Sequence, residues 1–456
     1  MTGGEDERRH RRQVVALSAV VTAFGLLTLA TSGQALVPSL LFDGPSYLSL
    51  ATHIRTHWFF PPPSMNLRPP LYPAVIAVAG WLTGSDGLVA VVNLQVGAWL
   101  LVGPLAALWV HRVGGSLLVG GLTGCLYYTL GESFLNVALI YAETITVALA
   151  VWAGLALSWS MVGPGGHATS RWLAAALAVA TAHARPIYQL LVPLYAAFAA
   201  APLLRRPRAI VIRRAMPFVV AALVGLLPFY VVNAVVKGSP TFVSLAGHSL
   251  ADYLGDRRLL GKFPPGFEAV EALYATRFAA DPSKTRIAWW EVAPDWEQLV
   301  RARTGHEPRW GARDREMGAT AVAVLSRNPG YYLRRWLETW WEFSTTPGPK
   351  VAGPWCPITL TSHVWAFWWR YLGAWGPFVI LALEIVNVTK RGRGEVVRLV
   401  PIVTYLTVAL ANTAIEPWPG QIRYRSQVEA FLLIAVGLLT TLIADCGRAA
   451  LKRSRT

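Results

Sequence analysis

The chain has 456 residues, of which 54% are hydrophobic and only 14% charged. Soluble domains carry roughly 25% charged residues, so a soluble globular protein is excluded and a polytopic membrane protein is expected. The formal net charge of +16 invites a nucleic-acid partner, but its distribution excludes one. Much of the excess lies in short blocks at the ends of apolar runs: "RRHRR" at 8–12, "LLRRPRAIVIRR" at 203–214, "TKRGRGEVVR" at 389–398 and "KRSRT" at 452–456. Short Lys/Arg-rich loops beside apolar spans mark the cytoplasmic side. The 20 Trp suit membrane interfaces. The three Cys (Cys125, Cys356, Cys446) are scattered, with no metal-ligand spacing and no expected disulfide.

In chain order the apolar runs are 14–37, 88–110, 116–131, 142–161, 172–184, 187–203, 215–236, 363–387, 397–414 and 428–445. The first is too long for a signal-peptide core and reads as an uncleaved helix. An all-α protein with about ten transmembrane helices, within a range of roughly 8–12, is expected, several runs falling short of the roughly 20 residues a crossing needs. The short, Pro-rich stretch 69–84 reads as re-entrant or interfacial. With the N-terminus inside, the alternation puts most basic loops and the C-terminus in the cytoplasm. Three parts follow: an N-terminal membrane module over 1–236 with a first external loop at 38–87, a larger external or juxtamembrane region at 237–362, and C-terminal helices with a basic tail over 363–456. Within the second region, 328–347 mixes Trp and Tyr with Arg and Glu at helical spacing, which predicts an amphipathic helix at the membrane surface.

The conspicuous polar residues fall at the outer ends of these runs: Asp43, Arg55 and Arg68 in the first loop, Glu132 and Glu143 at the second junction, His183 and Arg185 at the third, and Glu416, Arg423, Tyr424 and Arg425 at the last. Charges inside a bilayer are costly. A carboxylate with several arginines on one apolar-walled face is what an anionic, lipid-attached substrate needs. Asp43 precedes Gly-Pro, which reads as a helix N-terminus, with Tyr47 one turn on along the same face. Arg68 precedes Pro-Pro, so its backbone is held extended. Glu143 is either a helix-dipole partner or an acid that orients an arginine.

The ordered set "FDGPSYLSLA", "LRPPLYPAVIA", "YAETITVAL", "ARPIYQLLVPLY", "NPGYYLRR" and "RYRSQVEAFLLIAVG" resembles the successive motifs of GT-C-type glycosyltransferases. More narrowly it resembles the bacterial relatives of protein O-mannosyltransferases and lipid A aminoarabinose transferases. The resemblance implies a GT-C-like helix arrangement in the plasma membrane. It also implies an external active site that takes a sugar from a polyprenyl-phosphate carrier and passes it to a glycan, lipid or protein acceptor. The family's signature acid, early in the first external loop, maps onto Asp43. Only one acid stands there, so use of a divalent metal is left open, and no other cofactor is implied.

The chemistry is consistent with that set. Phosphate is a good leaving group, whereas glycosidases expelling an alkoxide use two carboxylates. One carboxylate plus cations therefore suits a hexosyl- or pentosyltransferase that expels a lipid phosphate. Asp43 is then the general base in an inverting displacement. Arg68 and Arg185, with Arg423 or Arg425, bind the donor phosphate through guanidinium forks. Tyr47, Glu143 and Tyr424 are the substrate-side candidates. The alternative function is a polytopic transporter or lipid-carrier flippase, which calls for mid-bilayer ionisable groups and internal repeats. A non-catalytic scaffold is a third, and it leaves the Asp43 cluster unexplained.

Overall fold

The computed structural model describes residues 3–33, 36–41, 43–57, 68–162, 167–201, 208–237, 246–305, 310–346, 356–415 and 425–453. Those residues are almost entirely helical, and the only strand-like pairings among them are two single bridges, one of them between Ser39 and Leu139. In a hydrocarbon phase every backbone N–H and C=O must find an internal partner, which a helix provides within itself. The chain is an all-α polytopic membrane protein.

Helix α1 (Gly3–Thr31) is followed by the short pair α2 (Gly44–His57) and α3 (Leu71–Thr83). Next come α4 (Leu88–Gly114), α5 (Leu117–Tyr127), the one-turn α6 (Gly131–Leu135) and α7 (Glu143–Met161). α4 reverses into α5 through Gly115 at φ 76° and Ser116, whose hydroxyl accepts from Val119 N. The two helices then pack backbone to backbone. A Cβ on Gly120 or Gly124 would stand 2.6 Å from Ala107 O or Gly103 O, the close approach that small residues permit between membrane helices. α8 (Ala168–Ala184) and α9 (Leu191–Ala200) flank a 3-10 turn, and α10 (Arg208–Ala221) runs through a π turn at Ala222–Leu226 into α11 (Leu227–Lys237).

The charged region builds a core of its own. α12 (Ala246–Ala251), α13 (Glu268–Ala280), α14 (Trp289–Thr304) and α15 (Trp310–Arg327) enclose Tyr253, Tyr274, Phe278, Trp296, Met317 and Val324. α16 (Pro329–Thr345) matches the amphipathic helix expected at 328–347: it buries Arg335, Thr339, Trp340 and Phe343 and exposes Leu333, Leu337 and Trp341. α17 (Pro357–Tyr371), α18 (Gly376–Arg391), α19 (Leu399–Ile415) and α20 (Glu429–Arg453) complete the described chain. The second core is moored to the membrane helices at the end of α19. Tyr253 OH donates to Thr413 O and Ala414 O, each at 3.1 Å, and Tyr332 OH donates to Ala414 O at 3.1 Å. These phenols take up carbonyls of a last turn that has no intrahelical donors left for them.

Among the described residues six helices are long and apolar enough to cross a membrane, or up to seven if a bent pair counts as one span, and three shorter apolar helices accompany them. The expected count of about ten is approached only when those shorter elements are included. The run 116–131 is an 11-residue helix followed by a turn, and 172–184 belongs to a 17-residue helix. The run 363–387, expected as one span, is α17 and α18 bent by 77°. The break has a physical cause. Pro377 stands in the first turn of α18 and removes a backbone donor. Gly373 sits so close to α16 that a Cβ there would lie 1.9 Å from Ser344 O.

Candidate functional site

The segment 132–143 is where the candidate residues converge. Ser39 N donates to Ala138 O and Ile140 N to Ser39 O, both at 3.0 Å, so the connection after α1 is stitched to it. From beneath, the buried Gln95 of α4 donates Nε2 to Val137 O at 2.7 Å and to Leu139 O at 2.9 Å. Gln95 Oε1 in turn accepts from Tyr72 OH of α3 at 2.7 Å. An amide with both donors and its acceptor engaged orders an otherwise irregular backbone.

Asp43 stands just ahead of α2, where its carbonyl accepts Ser46 N at 3.0 Å and Tyr47 N at 3.2 Å. It is thus the helix N-cap position that Asp-Gly-Pro predicts. Its Oδ1 accepts from Arg68 Nη2 at 2.7 Å, and Arg68 Nε donates to Ser46 Oγ at 3.2 Å. The Arg68 guanidinium also lies over the Tyr47 ring, 5.4 Å from its centroid. Tyr47 is buried edge-on against Tyr72. The ion pair keeps some access to solvent, with 14% of the Arg68 and 17% of the Asp43 side chain exposed. The other face of α2 carries an open groove of about 520 Å³, lined by Leu40, Pro45, Leu48, Thr52, His53 and His57 among others, to which neither Asp43 nor Arg68 contributes. Asp43 and Arg68 are 25 positions apart in the sequence. The fold instead brings them into contact, because α3 packs back along α2.

Arg185 ends α8 in extended backbone before Pro186, and its Nη2 donates to Oε1 of Glu143, the first residue of α7. Both are buried. Glu143 thus stands both in the first turn of α7, as a helix-dipole partner would, and against an arginine, so the two readings open for it are compatible. Three residues on, Tyr188 OH donates to Gln427 O at 2.7 Å, which links this pair to the start of α20.

Arg425 is fully buried. Its Nη2 donates to Glu132, its Nε to Glu429 Oε1 at 3.1 Å, and its Nη1 to Phe343 O at 3.1 Å and Thr346 O at 2.6 Å. The Trp369 ring lies under the guanidinium at 4.2 Å. Next to it Asn136 Nδ2 donates to Ser426 Oγ at 2.7 Å. A headgroup anchor would snorkel to the surface. This arginine does the opposite and joins α6, α16, α17 and α20.

Of the candidates read from sequence, Asp43, Tyr47 and Arg68 form one unit, Glu143 and Arg185 a second, and Arg425 a third, all tied to 132–143. Arg423 and Tyr424, like Glu416, lie outside the described residues. Ser46, Tyr72, Gln95 and Glu429 were missed as members. Gln95 and Glu429 each interrupt an apolar run with a polar group that must be satisfied, and that signal was available. Among the described residues no group of three or more His, Cys, Asp or Glu is placed to hold a metal ion. In this structure Asp43 Oδ1 is engaged by the Arg68 guanidinium.

No family model and no curated protein matches the chain. Among solved structures it is similar to the archaeal oligosaccharyltransferase AglB from Archaeoglobus fulgidus, in complex with an inhibitory peptide and a dolichol-phosphate. That likeness has 14% identity and a TM-score of 0.49, over 97% of this chain and 52% of that one. It is also similar to ArnT from Cupriavidus metallidurans bound to undecaprenyl phosphate, with 13% identity and a TM-score of 0.39, over 93% of this chain and 77% of that one. For the apo state of the same ArnT the values are 13% and 0.36, over 94% and 78%. The chain spans about half the length of the oligosaccharyltransferase it matches. At these identities the likenesses assign no activity and no ligand to this chain.

Proposed function

We propose that the chain is a glycosyltransferase of the plasma membrane, moving a hexosyl or pentosyl group from a polyprenyl-phosphate carrier to an acceptor hydroxyl on the external face. The observation that carries this reading is the Asp43–Arg68 pair, a carboxylate and a guanidinium in contact at the head of α2 and partly open to solvent. The ordered motifs of the sequence support it. The first loop, 38–87, is then the catalytic one, 237–362 lies outside the membrane, and both termini are cytoplasmic.

In the resting pair Arg68 neutralises Asp43. Donor phosphate entering along α2 competes for the Arg68 fork, which suits a phosphate as well as a carboxylate. Asp43 is released to accept a proton. The acceptor oxygen attacks the anomeric carbon as its proton passes to the Asp43 carboxylate, and the bond from that carbon to the carrier breaks with its electron pair on the phosphate oxygen. One displacement inverts the configuration. Tyr47 supports the Arg68 guanidinium from below. Arg185 and Arg425, expected from the sequence to bind the donor phosphate, are taken up by Glu143 and by Glu132 with Glu429, and on this reading they and Glu143 position the walls around 132–143 instead.

The test is transfer in proteoliposomes supplied with a polyprenyl-phosphate sugar. Asp43→Asn is expected to lower turnover at least about 100-fold, the lower range for a general base, with carrier binding retained. Full turnover in that variant removes Asp43 from the mechanism. Translocation of intact donor without its consumption would establish the flippase reading instead.

A further inference from the structure

Helix α17 touches one end of the bundle at every point along its length. Cys356 Sγ, just ahead of it, lies 3.9 Å from Thr28 O in the last turn of α1. Further on, Trp365 Nε1 donates at 2.9 Å to Oγ1 of Thr129, two residues past α5. The Trp369 ring lies 4.2 Å from the guanidinium of Arg425, which precedes α20. Past the end of the helix, a Cβ on Gly373 would stand 1.9 Å from Ser344 O in the last turn of α16. All four partners stand at the end of the bundle that 132–143 and Asp43 occupy. An upright helix of 15 residues would carry the chain about 22 Å away from that end. Only α18, turned by 77° from α17, leads away, and at its far end Arg391 Nη2 lies 3.7 Å from Cys446 Sγ, well along α20. Its 16 residues cover about 24 Å, most of the roughly 30 Å of hydrocarbon.

We propose that α17 lies in the plane of the membrane surface at the Asp43 end, with Leu360, Val364, Phe367 and Tyr371 sunk into the lipid leaflet and His363 and Arg370 turned to its headgroups. The four apolar residues recur at helical spacing on one face, and each is at least 60% exposed. A surface in water rarely carries so continuous an apolar row. Lipid covers this one, because the row continues through Trp375 into Val379 and Leu383 on α18, the helix that leads across the bundle. His363 and Arg370, both exposed, flank one edge of the face, where a long cationic side chain reaches phosphate. No acid stands anywhere in α17 to repel that phosphate. The opposite face holds Trp369 against Arg425, so one helix joins the leaflet to the sealed arginine group. The orientation of α17 is independent of what Asp43 does.

The experiment uses the full chain in liposomes of phosphatidylcholine and phosphatidylglycerol, with Cys125, Cys356 and Cys446 replaced by Ala. A nitroxide is placed singly at Leu360→Cys, Phe367→Cys or Tyr371→Cys, and its collisions with oxygen and with a water-soluble nickel chelate report its depth. Leu360 and Tyr371 are separated by about 16 Å along the helix axis. At 77° to an upright α18 they should differ in depth by only about 4 Å, and all three labels should favour oxygen. A depth difference of about 16 Å makes α17 part of an upright span and overturns the proposal. Labels that favour the nickel chelate put the face in water, and labels shielded from both reagents put it under a second protein; either result also overturns it. If the Cys-replaced chain does not fold, the unmodified chain is irradiated with a phosphatidylcholine carrying a diazirine in its acyl chain. Adducts on 360–371 are then expected by mass spectrometry, and their absence overturns the proposal.

Discussion

Asp43–Arg68 and Glu132–Arg425–Glu429 use the same two kinds of side chain at the same end of the molecule, and they differ in what surrounds them. In the first, one acid meets one arginine, both keep some solvent access, and the partners come from a helix cap and a Pro-rich connection. In the second, one arginine is sealed between two carboxylates, two backbone carbonyls and a Trp face, with no solvent exposure. A ligand can exchange with the first pair at little cost. Opening the second would strand two buried acids. Exposure, and not residue type, separates the pair we propose as catalytic from the group sealed inside the frame.

The largest effect is expected where the frame is broken. Arg425→Ala leaves Glu132 and Glu429 buried without their cation, a loss of about 3–5 kcal/mol. It should appear as collapse of the monodisperse peak in size-exclusion chromatography. A well-folded Arg425→Ala protein would erase the contrast. The second test is steric. Gly373→Ala drives a methyl group against Ser344 O, beside the Phe343 carbonyl that Arg425 holds. Forcing such a contact costs about 1–3 kcal/mol, and a lowered melting temperature should show it. Asp43→Asn comes third, at about 1 kcal/mol of stability, because an amide oxygen still accepts from Arg68. Its thermal melt should stay close to that of the parent chain while its turnover falls.

The smallest effect belongs to a third ion-pair network, in the second core. There Glu338 receives Arg258 Nη1 at 3.1 Å and Nη2 at 3.0 Å, with Arg335 Nη1 at 3.1 Å. Hydrogen bonding from Arg258, with further bonds from Arg335 and Arg334, holds the Glu338 carboxyl down at about 2, against the opposing pull of burial. A carboxyl depressed in the folded state adds stability that is complete above its unfolded value and is lost as pH falls toward the folded one. Melting of the region around α16 should therefore weaken between about pH 4.5 and pH 2, and Glu338→Gln should flatten that dependence. An unchanged acid slope in Glu338→Gln would remove this network from the comparison.

Much of this could be read before any coordinates. Low charge and long apolar runs require a membrane protein, since such a chain cannot solvate itself in water. Asp-Gly-Pro places the head of α2, and Asn-Pro with its Trp/Arg periodicity places α16 within about two residues. These are local properties, set by backbone geometry and by the 3.6-residue period of a helix. The bend between α17 and α18 was not legible, because it depends on how near Gly373 comes to Ser344. Nor were the partners of the arginines. Arg68, Arg185 and Arg425 carry the same charge and sit at similar ends of apolar runs, so nothing local ranks them. Only the tertiary structure brings Glu132 across the chain to Arg425 and shuts water out. It also folds α3 back so that Arg68 reaches Asp43 with solvent still at hand. Sequence determined which groups could pair at this end of the membrane. The fold decided which pair stays open, because burial and distance in space are not functions of position along the chain.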